Sequence, residues 1–164
     1  MDSGLIVVIS CGNWGYGRVT LEDNQLVAVS IGSSITDPAN TERAISVGSV
    51  HKSAPHRYGI SYFSSKGPTA DGRMKPDLVA PGEKILSCHA HPEQDYQYKE
   101  SSGTSAAAPH VSGAIAAFLS VHKEYRGDPE SIKQIFMKSA TDLGRDRAYQ
   151  GAGIVDLMRA MMSV

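Results

Sequence analysis

Apolar residues along the chain fall into short blocks separated by Gly, Pro, Asn and Ser. Residues 5–10 (Leu-Ile-Val-Val-Ile-Ser) are apolar and β-branched almost throughout and run into Gly12, the pattern of a strand buried on both faces. Comparable blocks predict strands at 26–31, 44–50, 77–80 and 84–88. Between Asn13 and Asn40, polar turn formers surround a single apolar run, so a surface excursion or hairpin is expected there. Residues 64–82 hold three prolines and three glycines, which predicts a mostly irregular segment pinned at turns. From 104 to 122 nearly every position is small or apolar, so this helix has no polar face and reads as buried all round. Asp128 before Pro129 predicts an N-cap opening an amphipathic helix to about Ala140, with Ile132, Ile135 and Phe136 turned inward. Asp156 caps a short last helix through Met162. Strands interleaved with helices, without an internal repeat, predict one α/β domain built on a layered sheet.

Composition narrows the partners. The chain has 164 residues, 41% of them hydrophobic and 20% charged, the balance of a soluble globular domain. Sixteen Lys and Arg against seventeen Asp and Glu leave a net charge of -1, too little field to hold a nucleic acid or an anionic membrane. Neither partner is expected. The strongest apolar run, 5–9, is far shorter than the ~20 residues a bilayer demands, so no transmembrane segment is expected. Met1-Asp2 begins without the basic stretch and apolar core of a secretory signal. That leaves either an intracellular protein or a chain whose beginning lies further upstream, and the compartment stays open. Cys11 and Cys88 lack the spacing of a zinc or redox motif. Cys11, closing an apolar strand, is expected to be a small buried hydrophobe, and a bridge to Cys88 is neither required nor excluded by spacing.

The most informative stretch is Ser101-Ser102-Gly103-Thr104-Ser105-Ala106-Ala107-Ala108-Pro109-His110. A polar, Gly-containing segment turns straight into the apolar helix. Ser105 therefore stands at a helix N-terminus, where free N–H groups and the macrodipole favour developing negative charge. Such a place suits a nucleophile with half of an oxyanion hole. It suits a plain helix cap as well. Asn13, after the first strand, puts an amide donor at the mouth of the sheet, although an Asn beside glycines is also an ordinary turn residue.

These two elements occur with others in an order that resembles the subtilisin-like serine peptidases. Gly12-Asn13 resembles the family's oxyanion asparagine motif, and Gly103-Thr104-Ser105-Ala106-Ala107-Ala108-Pro109-His110-Val111-Ser112-Gly113 its nucleophile motif. Between them, Ala44-Ile45-Ser46-Val47-Gly48, Phe63-Ser64-Ser65-Lys66-Gly67-Pro68, Asp71-Gly72-Arg73-Met74-Lys75-Pro76-Asp77 and Ala80-Pro81-Gly82 match further family segments. Gly151-Ala152-Gly153-Ile154-Val155-Asp156 resembles the turn before its closing helix, so the likeness runs from about Leu5 to Met158. Ala106 stands where relatives often carry Met.

The resemblance implies a subtilisin-like layered α/β fold with a mostly parallel sheet and a buried central helix, incomplete at its N-terminal side. It implies Ser105 as nucleophile and Asn13 as oxyanion donor. Ser10, Cys11, Gly12, Pro38, Ala39, Ser102, Gly103 and Thr104 would line the substrate site. No cofactor is implied; calcium is the structural ion such proteins often carry, with ligands set by loop geometry. The partners implied are a peptide or protein substrate and the upstream half of the domain.

That upstream half matters because the family's triad runs Asp, then His, then Ser. The family's His-Gly-Thr-His motif is absent from these residues. His51, His56, His89 and His91 lie in loop-like contexts, and His110 is five residues after Ser105, rotated about 140° away on the same helix. Asp2-Ser3-Gly4 imitates the aspartate motif, but no strand precedes it. The chain alone is therefore expected to be inactive, with the nucleophile and oxyanion donors of a serine endopeptidase but neither acid nor base. The alternative is a non-catalytic binding module on a degenerate fold. An α/β-hydrolase is excluded by order, since no acid followed by His lies downstream of Ser105.

Overall fold

The computed structural model describes residues 3–90 and 97–164. Asp2 and His91, both weighed above, lie outside the described residues. Three strands form the central sheet: β1 (Val8–Ser10), β4 (Ile45–His51) and β5 (Leu78–Glu83), parallel and in the order β1-β4-β5. Side-chain alternation divides the two faces. Ile45, Val47, Leu78 and Ala80 point into the main core, whereas Val50 and Val79 point the other way, onto Leu143.

The main core is completed by helices. Besides the short α1 (Pro55–Tyr58) and α4 (Arg147–Gln150), α2 (Thr104–Val121) crosses β5, β4 and β1, and α3 (Pro129–Ser139) and α5 (Leu157–Met161) pack behind it. Phe118 and Phe136 meet edge to face at 5.6 Å in its centre. The expected caps form: Asp128 accepts from Ser131 N–H at 3.0 Å and Asp156 from Arg159 N–H at 2.9 Å. On α3, Ile132 and Phe136 are fully buried and Ile135 only partly; Lys133 is buried as well. Its ammonium and that of Lys75 flank Asp77 at 3.1 and 2.6 Å, and both donate to the Ala44 carbonyl. Asp77 also accepts from Ser46 N–H at 2.7 Å, so one buried carboxylate ties together the starts of β4, β5 and α3. Burial lowers the Lys75 pKa, an effect partly offset by Asp77.

Four expectations change. The run at 26–31 is not a buried strand: β3 (Leu26–Ser30) pairs antiparallel with β2 (Tyr16–Thr20) in a solvent-exposed hairpin, the surface excursion expected between Asn13 and Asn40. Likewise β6 (Ile85–Cys88) pairs antiparallel with β7 (Tyr98–Ser101), and both are largely exposed. The first strand shortens to Val8–Ser10 and is only half buried, because it is an edge strand with one side unpaired. Finally, α2 is buried along one face only. Thr104, Ala107, Val111, Ile115 and Phe118 pack inward, while Ser105, Pro109, Ser112, Gly113, Ala116 and Ala117 are exposed. By length and mean hydropathy, 1.2 over its 18 residues, α2 resembles a membrane span. A core helix carries the same signature, and α2 packs on the sheet as one.

Candidate active site

Parallel strands deliver their C-terminal ends to one edge of the sheet, the usual place for ligands in open α/β architectures. There β1 runs through Ser10 and Cys11 to Gly12 and Asn13, while Gly103, bonded through its N–H to the Gly82 carbonyl at 2.8 Å, leads into α2. Gly12 has φ +105°, and a β-carbon there would lie 2.8 Å from Ser65 Oγ, so only glycine fits. The hydroxyl of Ser65 instead accepts from Trp14 N–H at 3.1 Å, which fixes the chain on the far side of Asn13.

Asn13 is oriented by Thr104, which is almost wholly buried. Its Oδ1 accepts from Thr104 N–H and from Thr104 Oγ1–H, both at 3.0 Å, and Thr104 Oγ1 accepts in turn from Gly12 N–H at 3.3 Å. The Asn13 carbonyl thus caps α2 from 91 residues away, which turns its amide N–H₂ toward Gly103. A β-carbon placed on Gly103 would lie 3.1 Å from Ser105 Oγ, 3.5 Å from Asn13 Nδ2 and 3.8 Å from Ser105 N. A hydroxyl, an amide N–H₂ and a backbone N–H therefore border one spot. Neither the side chain nor the N–H of Ser105 has a hydrogen-bond partner among the described residues.

An open groove of about 460 Å³ runs beside Ser105, between β1 and α2, lined by Ile9, Ser10, Ala108, Pro109 and Ser112. Other residues expected to line the substrate site fall differently. The side chains of Cys11 and Ala39 turn away into a small buried cluster with Ile35, leaving only their backbone for a ligand. Pro38 is exposed beside that cluster. Ser102 Oγ accepts from Lys84 N–H at 2.9 Å and ties down the β6–β7 hairpin. Burial pushes the Cys11 thiol up to about 11, against weaker opposing hydrogen bonds from Ser64 and Ser65. Cys11 and exposed Cys88 are both free thiols.

No described histidine bonds to Ser105. His110 Nδ1 contacts the Ala106 carbonyl at 2.9 Å, His51 Nδ1 accepts from Ser53 N–H, and His122 stacks on Phe118 at the other end of α2. No three His, Cys, Asp or Glu side chains converge among the described residues. Thr104 and Ser65 as positioning groups escape sequence reading, because their partners are 91 and 51 residues away. Trp14, 66% exposed with its ring edge toward Gly12, is a further neighbour of the site that no local pattern marks.

Comparison with known proteins bears on the family and the fold. The chain is 36% identical over 136 residues to the C5a peptidase of Streptococcus pyogenes, covering 74% of this chain but 11% of that protein. It is 29% identical over 170 residues to serine protease AprX of Bacillus subtilis, covering 94% of this chain and 35% of that one. Among solved structures, the self-cleaved protease domain of PatA superposes with a TM-score of 0.69 at 26% identity, over 98% of this chain and 50% of its own. The CspB protease of Clostridium perfringens gives 0.68 at 34% identity, over 85% and 30%. The chain thus spans half or less of these proteins. A family model described as the subtilase family matches residues 1–154, and the chain belongs to that family.

Proposed function

We propose that the chain is the nucleophile-bearing half of a subtilisin-like serine endopeptidase. The observation that carries this reading is the convergence of Ser105 Oγ, Ser105 N–H and Asn13 Nδ2 on one spot at the start of α2. A substrate carbonyl carbon beside Ser105 would be attacked by Oγ. The negative charge gathering on its oxygen would meet the Asn13 amide, the Ser105 N–H and the positive end of the α2 dipole. Collapse of the tetrahedral adduct would expel the amine and leave an acyl-enzyme on Ser105, which water would then hydrolyse.

The hydroxyl needs a base, and the leaving amine an acid. On this reading both come from an upstream half that brings the Asp and the His. The unpaired edge of β1 and the exposed small-residue face of α2 are where that half would seat, one strand beside β1 and one helix on α2. Alone, the chain has no useful peptidase activity.

The test joins the chain to an upstream half carrying the Asp and His segments and measures hydrolysis of a peptide substrate. Ser105→Ala should abolish turnover. Asn13→Leu should lower kcat by about 10²- to 10³-fold, a cost known from the corresponding donor in subtilisin. Full activity in either variant would overturn the assignment.

A further inference from the structure

A second cavity stands at the opposite end of the sheet from Ser105. It is a half-open cavity of about 540 Å³ beside α3, against Met74, Pro76 and the segment 142–152. That volume lies within the ~300–1,000 Å³ of small-molecule sites. Pro76 leads into the start of β5, whereas Gly82 near its end meets Gly103, so the six residues of β5, about 20 Å, separate the cavity from the reactive serine.

Its lining is unbalanced in charge. Lys138, Arg145 and Arg147 face the cavity with a single carboxylate, Asp142. None of the three cations forms an ion pair among the described residues. Asp142 is already engaged, its Oδ1 accepting from Gln150 Nε2–H at 2.6 Å and Gly144 N–H at 2.8 Å. Those bonds, Gln150 first, hold its carboxyl below the usual range, with Arg147 a smaller influence.

One of the three cations, Arg145, is also braced before any ligand arrives. Gln150, 4% exposed, donates to the Arg145 carbonyl at 2.7 Å and accepts from Leu143 N–H at 2.9 Å, clamping the loop from within. Arg145 lies across Gly59, whose missing side chain makes room for it: a β-carbon there would meet Arg145 Nε at 3.2 Å. Met74 and Met137 supply an apolar wall. Three cations without ion pairs, one of them braced, beside a thioether surface suit a ligand with a doubly charged oxyanion on a short apolar body.

We infer that this cavity binds a small organic anion, a phosphoester or a dicarboxylate, at a site separate from that of Ser105. The inference stands independently of the peptidase assignment. The test titrates butyl phosphate and glutarate, each at constant ionic strength, into the full chain carrying ¹³C-methyl methionine. Saturable shifts are expected at the Met74 and Met137 methyls, with half-saturation at or below about 1 mM, and none at exposed Met158 or Met162. Response to butyl phosphate alone identifies a phosphoester site, and to glutarate alone a dicarboxylate site; response to both leaves the double charge as the determinant. Lys138→Gln combined with Arg147→Gln should weaken binding about tenfold or more, while Arg126→Gln, a cation outside the cavity, should not. Shifts that never saturate, that spread equally to Met158 and Met162, or that survive the double substitution would overturn it.

Discussion

Replacing Gly113 by leucine should push two measurements in opposite directions. Gly113 lies inside α2 on its exposed face, and a β-carbon there would meet nothing within 4 Å. In the chain alone the substitution therefore meets no steric resistance. It removes a mid-helix glycine, whose backbone entropy costs about 0.8–1 kcal/mol relative to alanine; leucine recovers most of that. At about 2–4 °C per kcal/mol for a chain of this size, the thermal midpoint should rise by roughly 2 °C. Assembly with an upstream half should behave the other way. If a helix seats on the face formed by Ser105, Pro109, Ser112, Gly113 and Ala116, a leucine at its centre must overpack that contact, at a cost of about 1–3 kcal/mol. Affinity between the halves should fall by about one to two orders of magnitude. The two readouts are thermal denaturation of the lone chain and titration of one half against the other. A Gly113→Leu chain that assembles as tightly as the parent would refute the covered-face reasoning. A large loss of stability in the lone chain would instead show that the face is already occupied.

Three further outcomes follow from the geometry around the site. Thr104→Val keeps the shape but leaves Gly12 N–H without its acceptor and frees one bond to Asn13 Oδ1; it should lower stability by about 2 kcal/mol in denaturant titration. Thr104→Ser should lose clearly less, and equal losses would contradict the hydroxyl's role in holding Asn13. For Cys11, the folded thiol titrates near 11 against 9.0 for an ordinary one, so the native state holds its proton more tightly. The stability this contributes is complete below pH 9 and is lost as pH rises through 11, with a slope of at most about 1.4 kcal/mol per pH unit. The stability difference between the parent and Cys11→Ala should therefore shift by that sign between pH 9 and 11; a constant difference would contradict the burial. At pH 8, alkylation of Cys11 should trail that of exposed Cys88 by about a hundredfold or more.

How far the sequence predicts the fold depends on how local each cause is. Caps are local: Asp128 before Pro129 announces α3, and the bond to Ser131 N–H realises it. The apolar blocks at 44–50 and 77–80 become the two best-buried strands, because both of their faces are covered. The block at 26–31 has the same composition but pairs only with the neighbouring strand of a hairpin, so its apolar side chains stay in solvent. Burial is a property of the partner, and composition does not name the partner. The same reason explains α2, whose apolar residues all round imply full enclosure while only one face finds the sheet. Within the site, Ser105 and Asn13 are visible as motif residues. The groups that aim them, Thr104 and Ser65, and the Lys75–Asp77–Lys133 knot beneath the sheet depend on contacts 31 to 91 residues apart along the chain. Short-range periodicity carries no trace of such contacts.

On the proposed reading, Ser105 is a nucleophile whose base comes from the upstream half of the domain. The most direct measurement is labelling by a fluorophosphonate probe, with the modified residue mapped by mass spectrometry, on the chain alone and mixed with an upstream half bearing the family's Asp and His motifs. Labelling at Ser105 in the mixture, lost with Ser105→Ala and negligible in the lone chain, is the predicted result. Equal labelling of the lone chain, or modification of another residue in an assembled mixture, would contradict it.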